Sequence, residues 1–291
     1  MGELDTVAAS VDDGSVVAFG GKTLHRPPVA FVRELVRQGT TDLTLVGVAN
    51  SMDVDLLAGT GRVSAAHYGY VGYEGLGLAP NFRRAVEAGT LDPKEGTCYT
   101  VATMLRGAKQ NVPFVPVAGF QGSELPSVRD EDFREIECPF TGEPVFAVRT
   151  VTPDVAVVHA TEADESGNAR FYGADLTENV LAKAADRVIV TTERLVDSDA
   201  FADSPERTNI PGVLVDEVVE VPYGAHPCSC PGEYDYDVAH IQAYLERSRE
   251  GRLDDYLETY LGDSEAAYRD AAVGDRATDL EWDAARAEGR V

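Results

Sequence analysis

A chain of 291 residues with 44% hydrophobic content can bury a large core, in one big α/β domain or two smaller ones. Its formal charge of −25 is spread along the whole chain, which excludes nucleic acid and anionic membranes as partners and resembles the surfaces of proteins from salt-accumulating halophiles. No apolar run reaches about 18 residues and Met1-Gly-Glu-Leu-Asp5 lacks the features of a signal peptide, so a cytoplasmic location is expected.

Leu4–Val11 reads as a short helix leading into a strand, Ser15–Phe19. Two glycines, Gly20 and Gly21, stop that strand. Pro27 and Pro28 suit a first helical turn, and Val29, Phe31, Val32, Leu35 and Val36 repeat at helical spacing until Gly39. Then follow a strand Asp42–Ala49, a helical piece Asp53–Ala58, a strand Val63–Tyr68 and a helix Asn81–Ala88 stopped by Gly89. A longer helix spans Thr97–Gln110, and Pro113–Val117 is extended. Residues 119–144 read as a long loop, a candidate lid or binding loop.

Val145–Thr150 and Asp154–Ala160 read as strands, the second almost purely apolar, as in a strand covered on both faces. A turn at Gly167-Asn168, an extended Arg170–Tyr172, a helix Asp175–Ala185 and a buried strand Arg187–Thr191 come next. Val213–Val221 supplies one or two more strands. From Val238 to the end the pattern is mostly helical, with Ile241, Tyr244, Leu245, Tyr256, Leu257 and Tyr260 turned inward. The alternation predicts an α/β fold, a mostly parallel open sheet flanked by helices. One domain, 1–291, is expected, with 238–291 as a helical extension packed on it. Ligands in such sheets sit at the carboxyl ends of strands.

Backbone N–H groups at the Gly20-Gly21 turn suit a carboxylate, a phosphate or a developing oxyanion, and His25 and Arg26 add donors beside them. The alternative is a plain strand-to-helix connection that uses Gly for its φ angles. Cys98, Cys138, Cys228 and Cys230 are too few and too irregular for a disulfide framework. His226, Cys228, Cys230 and His240 invite a metal reading, yet Cys-x-Cys beside prolines lacks the zinc-knuckle spacing, so no metal is expected. His226, with the Tyr234 and Tyr236 hydroxyls, is expected to hold a turn together. His67 and His159, each ending a strand, read as satisfied core residues, and Cys98 has no local base pattern.

Several segments, in order, resemble the A (alpha) subunit of family I CoA-transferases of the glutaconate type. They are Val17-Ala-Phe-Gly-Gly21 with Arg26-Pro27, Asp55-Leu-Leu-Ala-Gly-Thr-Gly-Arg-Val63, Asn81-Phe-Arg-Arg84, Val112-Pro-Phe-Val-Pro-Val117 with Gln121-Gly-Ser123, and Val221-Pro-Tyr-Gly-Ala-His-Pro227 with Tyr234-Asp-Tyr-Asp237. The resemblance implies a fold shared with sugar-phosphate isomerases and coenzyme A as a substrate, with no permanently bound cofactor. It also implies a partner, the CoA-transferase B (beta) subunit, in a heterodimer or heterotetramer, and exchange of CoA between an acyl-CoA and a (di)carboxylic acid. A glutamate, which in most of the family belongs to the B subunit, attacks the thioester; the released thiolate then converts the acyl anhydride into a glutamyl-CoA thioester.

On that reading Gly20, Gly21, Gln121, Gly122 and Ser123 form the oxyanion and acyl-binding wall, and Arg26 and His25 pair with substrate or CoA charge. Glu74, in the Gly-rich aromatic run Tyr70–Gly77, is the candidate carboxylate of this chain, partly desolvated by its context. Two alternatives are carried. Related hydrolases that open cyclic CoA thioesters place a glutamate near the start of the helix before Val-Pro-Phe-Val-Pro; Glu95 lies close to that place but early, and Cys98 lies nearer. A non-catalytic CoA-thioester-binding scaffold subunit is the third reading.

Overall fold

The computed structural model describes residues 2–282. The chain begins with helix α1 (Leu4–Ala8), strand β1 (Val16–Phe19), α2 (Val29–Gln38), β2 (Leu43–Asn50), α3 (Met52–Gly59) and β3 (Val63–Val71). Next come α4 (Pro80–Glu87), β4 (Asp92–Glu95), α5 (Cys98–Lys109), β5 (Phe114–Val117), α6 (Leu125–Val128), β6 (Phe133–Glu137), β7 (Pro144–Arg149) and β8 (Val155–Ala163). The remainder is β9 (Ala169–Arg170), α7 (Glu178–Ala184), β10 (Arg187–Leu195), α8 (Asp199–Ala202), β11 (Glu217–Glu220), α9 (Val238–Arg249), α10 (Leu253–Tyr260) and α11 (Glu265–Ala272).

The main sheet runs β11-β10-β8-β1-β2-β3-β4, parallel throughout, with β9 added antiparallel to β8. Side chains alternate across it. Val17, Phe19, Leu45, Val157 and Ile189 join one large core with α2, α3 and α9, while Ala18, Val46 and Ala156 face α5 and α7. Burial on both faces is why these strands read as near-continuous apolar runs. The α2 helix ends as its sequence predicts: Gly39 takes φ 81° and its N–H donates to the Leu35 and Val36 carbonyls.

One expectation needs correction. Residues 119–144 are not one long loop, because they hold α6 and β6, and β5-β7-β6 form a separate antiparallel sheet. The strand Val145–Thr150 belongs to that small sheet. Its Val117, Phe133 and Val148 pack on Met104 of α5. In Phe133-Arg-Glu-Ile-Glu137 the apolar residues are three apart and charges fill the rest, so no period of two is visible. Edge strand β4, Asp-Pro-Lys-Glu, is polar for the same reason that edges usually are. Only β11 forms within Val213–Val221; Gly212–Leu214 is a turn of 3-10 helix.

Ile241, Tyr244, Leu245 and Tyr256 of the C-terminal helices share the core of β1 to β3, with Leu257 and Tyr260 packed against it. The predicted helical end beyond residue 282 lies outside the described residues. Among the described residues no helix is long and apolar enough to cross a membrane.

Candidate functional site

The strand order reverses direction at β1, which is flanked by β2 on one side and β8 on the other, so a ligand crevice is expected at its carboxyl end. That crevice is filled from within. Arg26, fully buried, approaches Glu178 to 2.7 Å, donates to the Ala174 carbonyl and stacks 4.1 Å from the centre of the Phe171 ring. The Arg26–Glu178 approach lies off the N–H direction, making it a coulombic contact and not a hydrogen bond. Glu178 also accepts from the Leu176 and Thr177 N–H groups. A Cβ at Gly20 would stand 3.1 Å from Glu178, and one at Gly21, with φ +89°, would stand 2.7 Å from the Arg26 backbone. The glycines are therefore required by packing.

An open cleft of about 620 Å³ lies two strands away, at the carboxyl ends of β3 and β4. Its wall is mostly apolar: Val71, Leu78, Phe82, Val86, Pro93 and Leu125. Tyr70, Glu95, Gly96, Thr97 and Ser123 supply the polar edge. Gly69 makes the cleft possible. A Cβ there would come 2.3 Å from the Cys98 nitrogen, so only glycine lets the first turn of α5 seat against β3.

The Thr97 hydroxyl accepts from the Thr100 N–H, and the Thr100 hydroxyl accepts from the Thr97 N–H. The positive end of a twelve-residue helix thus opens at the cleft edge, suited to a carboxylate or an oxyanion. Arg129, buried, donates to the Glu95 carbonyl (2.9 Å) and pairs with Glu131 and Asp132, tying this edge to the small sheet. His67, behind it, lies 4.0 Å from Asp132; burial, with Arg129 and Lys94 nearby, pushes its pKa down to about 4.

The opposite wall, α4, is held by Asp55. Its carboxylate accepts from the N–H groups of Asn81 and Phe82 (both 2.8 Å) and from the Tyr244 hydroxyl (2.8 Å). Burial raises the Asp55 pKa, and these donors counter it. Neither Gly69 nor Asp55 was singled out from the sequence for these roles. A glycine inside a strand pattern was the available signal for the first.

The residues expected to form the site do not converge. The Gly20 N–H donates to the Val157 carbonyl at 2.9 Å and is spent on the sheet; the Gly21 N–H has no acceptor among the described residues. Arg26 carries no free charge, being paired with Glu178. His25 shares a 2.6 Å hydrogen bond with the Ser229 hydroxyl, and burial, Lys22 and Arg26 lower its pKa, which disfavours its charged form. Ser123 does line the cleft, where its hydroxyl accepts from the Leu125 N–H. Gln121 and Gly122 are exposed beside it but do not line it; Gln121 donates to the Pro144 carbonyl. Glu74 is exposed, not desolvated. It accepts from the Thr23 hydroxyl (2.6 Å), and its own N–H donates to the Tyr70 hydroxyl, which places it between the glycine turn and the cleft. Glu95 and Cys98 are exposed at the cleft edge and beside it.

Two buried groups have metal-like donor sets, His226–Asp237–His240 and His159–Glu193–Cys230, and Cys228 belongs to neither. Their atoms are already engaged. His226 bonds the Tyr268 hydroxyl and Asp237, while the Tyr234 hydroxyl satisfies the buried Ala225 N–H (3.0 Å) as expected of this turn. His240 bonds the Tyr256 hydroxyl. Glu193 accepts from Tyr234, His159 and the N–H groups of Tyr223 and Gly224, fixing the loop before α9. These are structural networks.

The profile of the family described as Coenzyme A transferase matches residues 3–221. The A (alpha) polypeptide of glutaconate CoA-transferase from Acidaminococcus fermentans is 38% identical over 261 residues, 84% of this chain and 82% of that one. The crystal structure of glutaconate coenzyme A-transferase from the same organism matches with a TM-score of 0.92 at 34% identity, over 97% of this chain and 96% of that one. The crystal structure of the decarboxylase AibA/AibB matches with a TM-score of 0.81 at 35% identity, over 89% and 96%. The IpdA subunit of a cholesterol ring-cleaving hydrolase from Mycobacterium tuberculosis is 28% identical over 278 residues, 92% of this chain and 95% of that one.

Proposed function

The chain belongs to the coenzyme A transferase family and is a subunit of a CoA-transferase, and from that premise we propose that it is the alpha subunit of a two-chain enzyme. It would exchange CoA between an acyl-CoA and a carboxylic acid, with the glutamate that carries the acyl and CoA groups supplied by a beta subunit. One observation carries this reading: among the described residues the cleft has no desolvated carboxylate of its own. Its carboxylates, Glu87 and Glu95, are exposed, and Glu87 is paired with Arg83. Neither is the desolvated carboxylate that attack on a thioester needs. Leu78, on the cleft wall, is 59% exposed, apolar surface that a second chain would cover.

In the proposed mechanism the acyl group lies along the Leu78, Phe82 and Val86 wall. The partner's glutamate attacks the thioester carbonyl, the C–S bond breaks, and CoA leaves as thiolate. Backbone N–H groups at the start of α5 are the donors this chain offers to the oxyanion. Thiolate attack on the anhydride then releases the acid and leaves CoA on the glutamate. The test is co-expression with the neighbouring beta-like chain, incubation with acyl-CoA, and borohydride or hydroxylamine trapping followed by peptide mapping. Label on a partner glutamate is expected; label on Glu74 would overturn the assignment.

A second reading rests on Glu95. It lines the cleft at the α5 terminus with its carbonyl fixed by Arg129, where a carboxylate could activate water against a cyclic CoA thioester. Glu95→Gln separates the two, since it abolishes ring opening but leaves CoA exchange within a few-fold.

A further inference from the structure

A smaller cavity of about 420 Å³ adjoins the cleft and shares Leu78, Ala79, Arg83 and Glu87 with it. Arg84 and Arg249 complete its cationic side. In a chain with 50 acidic residues and 25 basic ones, these two guanidinium groups form no ion pair among the described residues. Neutral acceptors hold them instead. Arg84 donates to the Asn81 side-chain oxygen (2.9 Å) and to the Ser248 carbonyl, and Asn81 is itself locked by Asp55. Arg249 donates to the Leu76 carbonyl at 2.9 Å, reaching over Gly77, where a Cβ would stand 3.1 Å from its terminal nitrogen. Both side chains are positioned, and both keep unused N–H donors and an uncompensated charge.

We propose that Arg84 and Arg249 bind the phosphates of the nucleotide end of coenzyme A, whose pantetheine arm and thioester then run into the adjoining apolar cleft. The assignment rests on the reading of the chain as a CoA-handling polypeptide, and follows from charge and continuity. A ligand bearing a diphosphate and a 3′-phosphate meets strong repulsion from a surface of net charge −25 and needs a local cationic anchor. The arginine cavity adjoins the cleft, with Leu78 and Ala79 lining both. A distal carboxylate of a dicarboxylic acyl group presents the same chemistry to guanidinium groups, so the test must separate the two sources.

The experiment titrates the complex of this chain with its beta partner, at one fixed salt concentration, with adenosine 3′,5′-bisphosphate and separately with glutarate. Changing Arg84→Gln together with Arg249→Gln is expected to weaken bisphosphate binding by about a hundredfold, near tenfold for each guanidinium, and to leave glutarate unchanged. Arg252→Gln, whose guanidinium pairs with Glu250 and Asp255, is expected to change neither. Loss of glutarate binding alone overturns the nucleotide assignment in favour of a substrate carboxylate. Absent or unchanged bisphosphate binding, or a double variant that no longer assembles with its partner, also overturns it. The titration needs no turnover. A complex that binds the bisphosphate through these arginines but exchanges no CoA therefore counts against the transferase reading alone.

Discussion

The Gly20-Gly21 turn ends strand β1 and Gly69 lies within strand β3 of the same sheet, yet the two do opposite things. At the first, glycine admits the protein's own Arg26 and Glu178, and the crevice closes. At the second, glycine admits the start of α5, and an apolar cleft stays open beside it. A missing side chain thus creates space, but what fills it depends on residues far away in sequence: Glu178 in one case, Cys98 in the other. A topological switch point is where ligands usually bind, and here it has been given over to stability.

The comparison breaks most visibly at Glu178. Removing it as Glu178→Ala leaves the Arg26 charge buried without its partner, and urea unfolding should show a loss of about 3–5 kcal/mol. CoA exchange per folded molecule should stay unchanged. A large kinetic effect at unchanged stability would return the active centre to the glycine turn.

Acid tests the ground behind the open cleft. His67 titrates near 4 when folded, against about 6.5 when unfolded, so the unfolded chain binds the extra proton first. Its contribution is therefore complete above about pH 6.5 and is lost progressively toward pH 4, up to about 3 kcal/mol. Asp53 works in the opposite direction, because burial raises its folded pKa to about 6 and acid relieves that cost. The difference between wild type and His67→Asn, followed by unfolding across pH 4–7, isolates the first effect; parallel curves would contradict it.

A smaller loss is expected from Gly69→Ala. Its Cβ would force the first turn of α5 away from β3, at about 1–3 kcal/mol in stability. Exchange activity should fall by more than tenfold, because the cleft edge and its oxyanion donors shift together. Unchanged kinetics in this variant would remove the α5 terminus from the site.

Much of the main sheet was legible because its strands are buried on both faces, and Val155-Ala-Val-Val158 or Val188-Ile-Val190 leave little choice of period. The charged strands Asp92–Glu95 and Phe133–Glu137 were not, since an edge or half-exposed strand reads like a loop. For the site, the ordered family-like segments contain both the glycine turn and Ser123, which folding sets in different places. Arg26 and Gly20 look functional in one dimension because nothing nearby in sequence announces Glu178 or Val157. Ser123 lines the cleft, while its neighbours Gln121 and Gly122 lie outside it. Arg84 and Asn81 were visible as a segment, but their roles depend on Asp55 and Ser248, which only folding brings together.

The most direct test of the open cleft as the acyl site uses a residue that folding does not need. Leu78 is 59% exposed on the cleft wall, so Leu78→Trp should fold with unchanged stability and occupy the space where the acyl group lies. With the partner chain present, the KM for acyl-CoA should rise at least about tenfold, the loss expected when a binding slot of this kind is filled. An unchanged KM and kcat in a stably folded Leu78→Trp complex would contradict the placement of the acyl group in this cleft.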